Sequence, residues 1–182
     1  MSQAFRLGEP GPLAILLALL CLTTACAAEA ELAMRQPFGM GPWTFEVRSA
    51  TERIEPRGGQ QVKIVSIELK LLNYHERHEK PFDDFLNGHT HGSVMAFPHL
   101  KLVDRAGTQF DGWLVPSSGG SLRSEAWRAE FVLVPSNEPD PMSSTADMAG
   151  KYLDTRLSEL RLAIDNPDQR EGQPYRVSVK LQ

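Results

Sequence analysis

Val62-Lys63-Ile64-Val65-Ser66-Ile67-Glu68-Leu69-Lys70-Leu71-Leu72-Asn73-Tyr74 is the longest stretch of strand character in the chain, with no Gly or Pro to interrupt it. Val65, Ile67, Leu69 and Leu71 share one parity, and Ser66, Glu68 and Lys70 take the other, which is the period of a half-buried strand. Val62 and Ile64 fall on the polar parity, so the pattern slips once near Val65. A β-bulge at that point would return both sets to the core side.

The same alternation continues to either side of this strand. Upstream, Trp43, Phe45 and Val47 alternate with Thr44, Glu46 and Arg48, and Glu55-Pro56-Arg57-Gly58-Gly59 supplies a turn. Downstream, regularity is lost from His75 to Pro98, where Pro81-Phe82-Asp83-Asp84-Phe85-Leu86 suits one or two helical turns. Leu100 and Leu102 resume a strand, Asp104-Arg105-Ala106-Gly107 reads as a tight turn, and Thr108 to Leu114 returns as the hairpin partner. Ser117-Ser118-Gly119-Gly120-Ser121 is a loop, and Trp127, Ala129, Phe131 and Leu133 then share one face opposite Arg128 and Glu130. Pro135 to Ser144 is loop, and Thr145 to Leu153 suits a short helix. Leu160, Leu162 and Ile164 alternate as a strand, although Leu153, Leu157, Leu160 and Ile164 also lie at helical spacing. Tyr175, Val177, Val179 and Leu181 form the terminal strand.

About seven strands between Gly/Pro turns, with no alternating helices, point to an all-β fold: an antiparallel two-sheet sandwich over residues 42–182, with short helical turns in its loops. Trp127, Phe131, Leu69 and Leu71 are the expected central core. The 182 residues, 41% of them hydrophobic and 23% charged, match one ordinary globular domain plus a short extra segment.

Gly41-Pro42-Trp43-Thr44-Phe45-Glu46-Val47, the long strand ending Leu72-Asn73, Leu102-Val103-Asp104-Arg105-Ala106-Gly107, and Phe131-Val132-Leu133-Val134-Pro135 together carry a resemblance. The layout is similar to the immunoglobulin-like domains of unknown function found in bacterial secreted proteins and lipoproteins. The resemblance covers nearly all of residues 42–182 and implies an extracytoplasmic Ig-like sandwich. It brings no catalytic residues. The His-bearing insert at 75–98 is longer than the connection usual there.

Leu13 to Leu22, LAILLALLCL, is a ten-residue apolar run, too short for a bilayer span of about 20 residues but suited to a signal-peptide h-region. Residues 1–26 are therefore read as a leader. Leu22-Thr23-Thr24-Ala25-Cys26 resembles a lipoprotein lipobox, which implies lipidation of Cys26; Thr23 departs from the aliphatic residue usual at its position. Ala25-Cys26-Ala27 is the competing site, whose cleavage would release a soluble protein. Both cysteines, Cys21 and Cys26, lie in this segment, so the domain holds no internal disulfide. Residues 27–41 read as a tether.

All five histidines fall between His75 and His99. His75-x-x-His78 and His89-x-His91 offer imidazoles suited to Zn or Cu, provided three or four ligands converge. The alternative is a polar surface loop that contains histidine, and a pH-sensing loop is a further reading. No G-x-S-x-G elbow is present, Ser117, Ser118 and Ser121 sit in a Gly-rich loop, and Asp83-Asp84 and Glu138 to Asp140 read as solvated loop charges. A net charge of -4 gives no basic stripe for nucleic acid. Phe82, Phe85 and Phe97 either cap one end of the sandwich or form a docking patch for an envelope protein. The sequence thus leads us to expect an extracytoplasmic module of the bacterial outer membrane or periplasm. It would be non-catalytic, without a cofactor, and in contact with the membrane only through its anchor. Zn/Cu binding by His75, His78, His89 and His91 is the alternative.

Overall fold

The computed structural model describes residues 29–57, 59–78, 81–86, 99–117, 125–134 and 150–182. Among these, nine strands follow in chain order: β1 (Ala30–Ala33), β2 (Phe38–Met40), β3 (Trp43–Arg57), β4 (Gln60–Leu71), β5 (Leu100–Asp104), β6 (Gln109–Pro116), β7 (Ala126–Val132), β8 (Leu160–Asp165) and β9 (Arg176–Lys180). One short helix, α1 (Phe82–Leu86), and a 3₁₀ turn (Leu157–Glu159) accompany them. The fold is all-β, as the alternation implied. Where residues 153–164 allowed helix or strand, the chain takes the 3₁₀ turn and then β8.

The strands do not divide into two separate sheets. They form one mixed sheet in the order β1-β9-β8-β5-β6-β7-β4-β3-β2, so the expected two-sheet, seven-strand layout is corrected to a single nine-stranded one. Every neighbouring pair is antiparallel except β1 with β9, which is parallel. Strand β6 provides the continuity. Its first residues, Gln109 to Asp111, pair with β5, and Gly112 to Pro116 pair with β7. A strand that changes partners must bend, and glycine often marks such a corner. Gly112 is that residue here, directly opposite Phe131.

The sheet also curls on itself. Strands β1 and β2 stand at opposite ends of the order, yet only residues 34–37 separate them. That linker spans at most roughly 18 Å in full extension, so the two edges are drawn together. Within it Arg35 adopts φ 65° and donates its N–H to the Val47 carbonyl at 2.7 Å. The sheet register shifts between Val47 and Ser49, placing a bulge on β3 at Arg48. The bulge expected near Val65 is absent: Val65 pairs in unbroken register with Glu52 and Phe131. The parity slip in β4 has a different cause: over residues 62–67 both of its faces are covered. Val65, Ile67, Leu69 and Leu71 enter the main core, while Val62 and Ile64 pack with Val132 in a small second cluster.

The main core takes side chains from the whole length of the sheet. Phe45, Leu69, Trp127 and Phe131 meet Leu102, Phe110, Leu162 and Val179 in one buried cluster. Trp127, Phe131, Leu69 and Leu71 are all buried, as their spacing required. Within the stretch read as a tether, Ala30–Ala33 and Phe38–Met40 are strands, with Phe38 and Met40 inside the core. Short runs of three and four residues carry too little periodicity to stand out.

Candidate functional site

Of the four histidines singled out as ligands, His75 and His78 lie among the described residues and are engaged in packing. The His78 ring centroid lies 3.9 Å from that of Trp43, and its Nε2 is 2.9 Å from the Asn73 carbonyl. The His75 ring packs tilted against Tyr74, with centroids 3.7 Å apart. His89 and His91 lie outside the described residues, as do Cys26, Phe97, and residues 118–121 and 138–140. Among the described residues no group of three or more His, Cys, Asp or Glu is placed to hold a metal. The two described phenylalanines of the possible docking patch are inside: helix α1 buries Phe82 against Trp43, Phe45 and Trp127, and Phe85 is buried beside Gly41.

A different set of polar side chains lies on the other face of the sheet, where Thr51 and Arg128 are exposed and Ser66 and Glu130 are buried. Because Val65, Ile67 and Leu69 enter the core, Ser66 and Glu68 must project from the opposite, outward face of β4. Cross-strand register aligns Thr51, Ser66 and Glu130 in one row, and Ser49, Glu68 and Arg128 in the next. Of these, Ser49, Thr51, Ser66, Glu68 and Arg128, together with Ser117 at the end of β6, line a depression of about 240 Å³. Bonds between neighbours fix its walls. Ser49 donates to Glu68 at 3.1 Å, Arg53 donates to Ser66 at 2.6 Å, and the Glu130 carboxylate receives Arg53 at 3.3 Å and Arg128 at 3.1 Å.

The charge ladder continues along β3. Arg53 also bonds Glu55, which holds the Glu55 carboxyl below its ordinary value and raises the Arg53 guanidinium above its own. Arg57 reaches Glu55 and lies 5.6 Å over the Trp113 ring. Chemically this face offers hydroxyl donors and acceptors beside matched charges. It is equipped to hydrogen-bond a polar partner without a large electrostatic field. Sequence reasoning placed Ser66 with Glu68, and Arg128 with Glu130, on the polar parity of their strands. It could not see that β3 and β7 flank β4 and bring those parities into register.

A larger hollow of about 450 Å³ lies at the β1 edge, lined by Leu32, Met34, Arg35, Lys180 and Gln182 among others. Its one ion pair, Lys180 with Glu31 at 3.1 Å, is well exposed. The outward face of β4 is the stronger candidate, because its polar groups are locked by cross-strand bonds. No protein-family model, no curated protein and no solved structure matches this chain.

Proposed function

We propose that this chain is an exported, lipid-anchored, non-catalytic binding module of the bacterial cell envelope. The leader-like segment ending at Cys26 supports export and the anchor. Kinship with immunoglobulin-like domains is part of the same reading. Such domains carry strands A, B, E and D on one side and C, F and G on the other. Lettering β3 to β9 as A to G in chain order gives the neighbours A-B-E-D and C-F-G, with β6, as D, also touching β5. That correspondence supports the kinship, and β1 and β2 are then additions before it.

The observation that carries the binding role is the aligned polar face of Ser49, Thr51, Ser66, Glu68 and Arg128. Its partner is an envelope protein presenting hydrogen-bonding groups. A photo-crosslinking amino acid at Thr51 should yield a discrete adduct in cells, and one at Arg105, on the β5–β6 turn, should not. Identical adducts from both positions, or none from Thr51, would overturn the binding role. Radiolabelled palmitate tests the anchor separately: it should label the wild type and spare Cys26→Ala.

A further inference from the structure

Resting on the lipid-anchor reading, the structure carries one step more. The chain enters the sheet at Ala30, with Glu29 just before it. From an acylated Cys26 to Glu29 the chain reaches at most roughly 11 Å, so the end of the sheet where β1 begins cannot stand off from the bilayer.

The pairing shows which loops share that end. Ala30 lies beside Val177 at the start of β9, and Val177 faces Ile164 near the end of β8, so the β8–β9 loop is there. Within that loop the Gln173 amide is bonded twice to Gly41, accepting its N–H at 2.7 Å and donating to its carbonyl at 3.0 Å. The segment after β4 is tied to the same turn: Asn73 accepts from Thr44 N–H and donates to the Pro42 carbonyl, and Leu72 N–H donates to the Thr44 carbonyl. The β2–β3 turn thus joins the two loops.

Three large apolar side chains are exposed among the described residues, and two of them are in these loops: Leu72 at 42% and Tyr175 at 46%. Tyr74, two residues after Leu72, is half-buried. In and beside the β8–β9 loop the arginines are matched, Arg176 by Asp165 and Arg170 by Asp168.

We propose that this end of the sheet is a membrane-contacting surface, with Leu72 and Tyr175 seated in the headgroup region of the bilayer that holds the anchor. Tyrosine favours that interface because its ring is apolar and its hydroxyl is wet.

The test uses the full chain carrying its acyl anchor, reconstituted in phosphatidylcholine vesicles. A bimane fluorophore is attached in turn through Leu72→Cys, Tyr175→Cys and Arg105→Cys, and quenching by brominated phosphatidylcholine is measured. The labels at 72 and 175 should lose emission while the label at 105, on a turn at the other end, keeps it. Equal quenching at all three sites, or none at 72 and 175, overturns the surface while leaving the anchor intact. Absence of palmitate on Cys26 in the same preparation overturns the anchor and this surface with it. The acyl label therefore tells the two failures apart.

Discussion

Gly112 and Phe131 stand directly opposite each other across β6 and β7, and the phenylalanine ring occupies the space a side chain at 112 would need. A Cβ there would lie 2.5 Å from Phe131 Cδ1 and 2.9 Å from the Glu130 carbonyl oxygen. One neighbour is a packed ring and the other is backbone, so neither yields cheaply. Gly112→Ala should cost about 1–3 kcal/mol by overpacking, read as a lower denaturation midpoint. Phe131→Ala should cost about 3–5 kcal/mol. The double variant should be less destabilised than the sum, since the truncated ring makes room for the methyl. Strict additivity in a double-mutant cycle would show that the two sites do not share this space.

The Gln173 side chain acts toward Gly41 as a strand residue would, giving one donor and one acceptor. Gln173→Ala leaves the Gly41 N–H and carbonyl without those partners, at a cost of about 1–3 kcal/mol. Hydrogen exchange at the Gly41 amide should accelerate selectively. Unchanged protection there would mean that the loop is held by other contacts.

Glu130 is buried beside two arginines and the Ser66 hydroxyl. Glu130→Ala should destabilise by about 1–2 kcal/mol, at the low end for bonds to charged groups, because Arg53 and Arg128 keep access to water. Glu130→Gln should recover part of that loss. Urea denaturation of the three proteins, with equal midpoints for Ala and Gln, would argue that only burial matters at this position.

The Arg53–Glu55 pair sets a pH dependence. The Glu55 carboxyl is lowered, chiefly by the hydrogen bond from Arg53. A carboxyl depressed in the folded state contributes stability that is present above its unfolded pKa and is lost as pH falls through the folded one. The contribution of this exposed pair therefore disappears on acidification below the ordinary glutamate range, about 4.3. In Arg53→Ala, the Glu55 titration followed by carbon NMR should move upward toward that range. An unmoved midpoint would assign the shift to another group.

Much of the fold could be read from residue spacing. The alternation of Trp127, Ala129 and Phe131, the β5–β6 hairpin around Asp104 to Gly107, and the terminal strand are each set by local pattern. The continuity of the sheet was not legible, because it depends on Gly112, one glycine inside an ordinary-looking strand, whose meaning comes from a phenylalanine distant in sequence. The length of β3 was hidden too: Thr51 to Arg57 are mostly polar and mostly exposed, so no apolar parity marks them. Of the candidate sites, the histidine pair drew attention by composition, yet the described rings are held by aromatic neighbours that spacing cannot reveal. The polar face is an alignment of three strands, and register between strands is a tertiary property.

The parallel pairing of β1 with β9 joins the first and last described strands. No contact between them can form until β9 itself has been synthesised, and closing so large a loop is the slow, entropically costly kind of step. The N-terminal edge is then the last seam of the sheet to be sewn. Until it is, the buried carbons of Val177 and Val179 have an open flank, and the unpaired edge of β9 is where a nascent molecule would meet a chaperone or a second copy of itself.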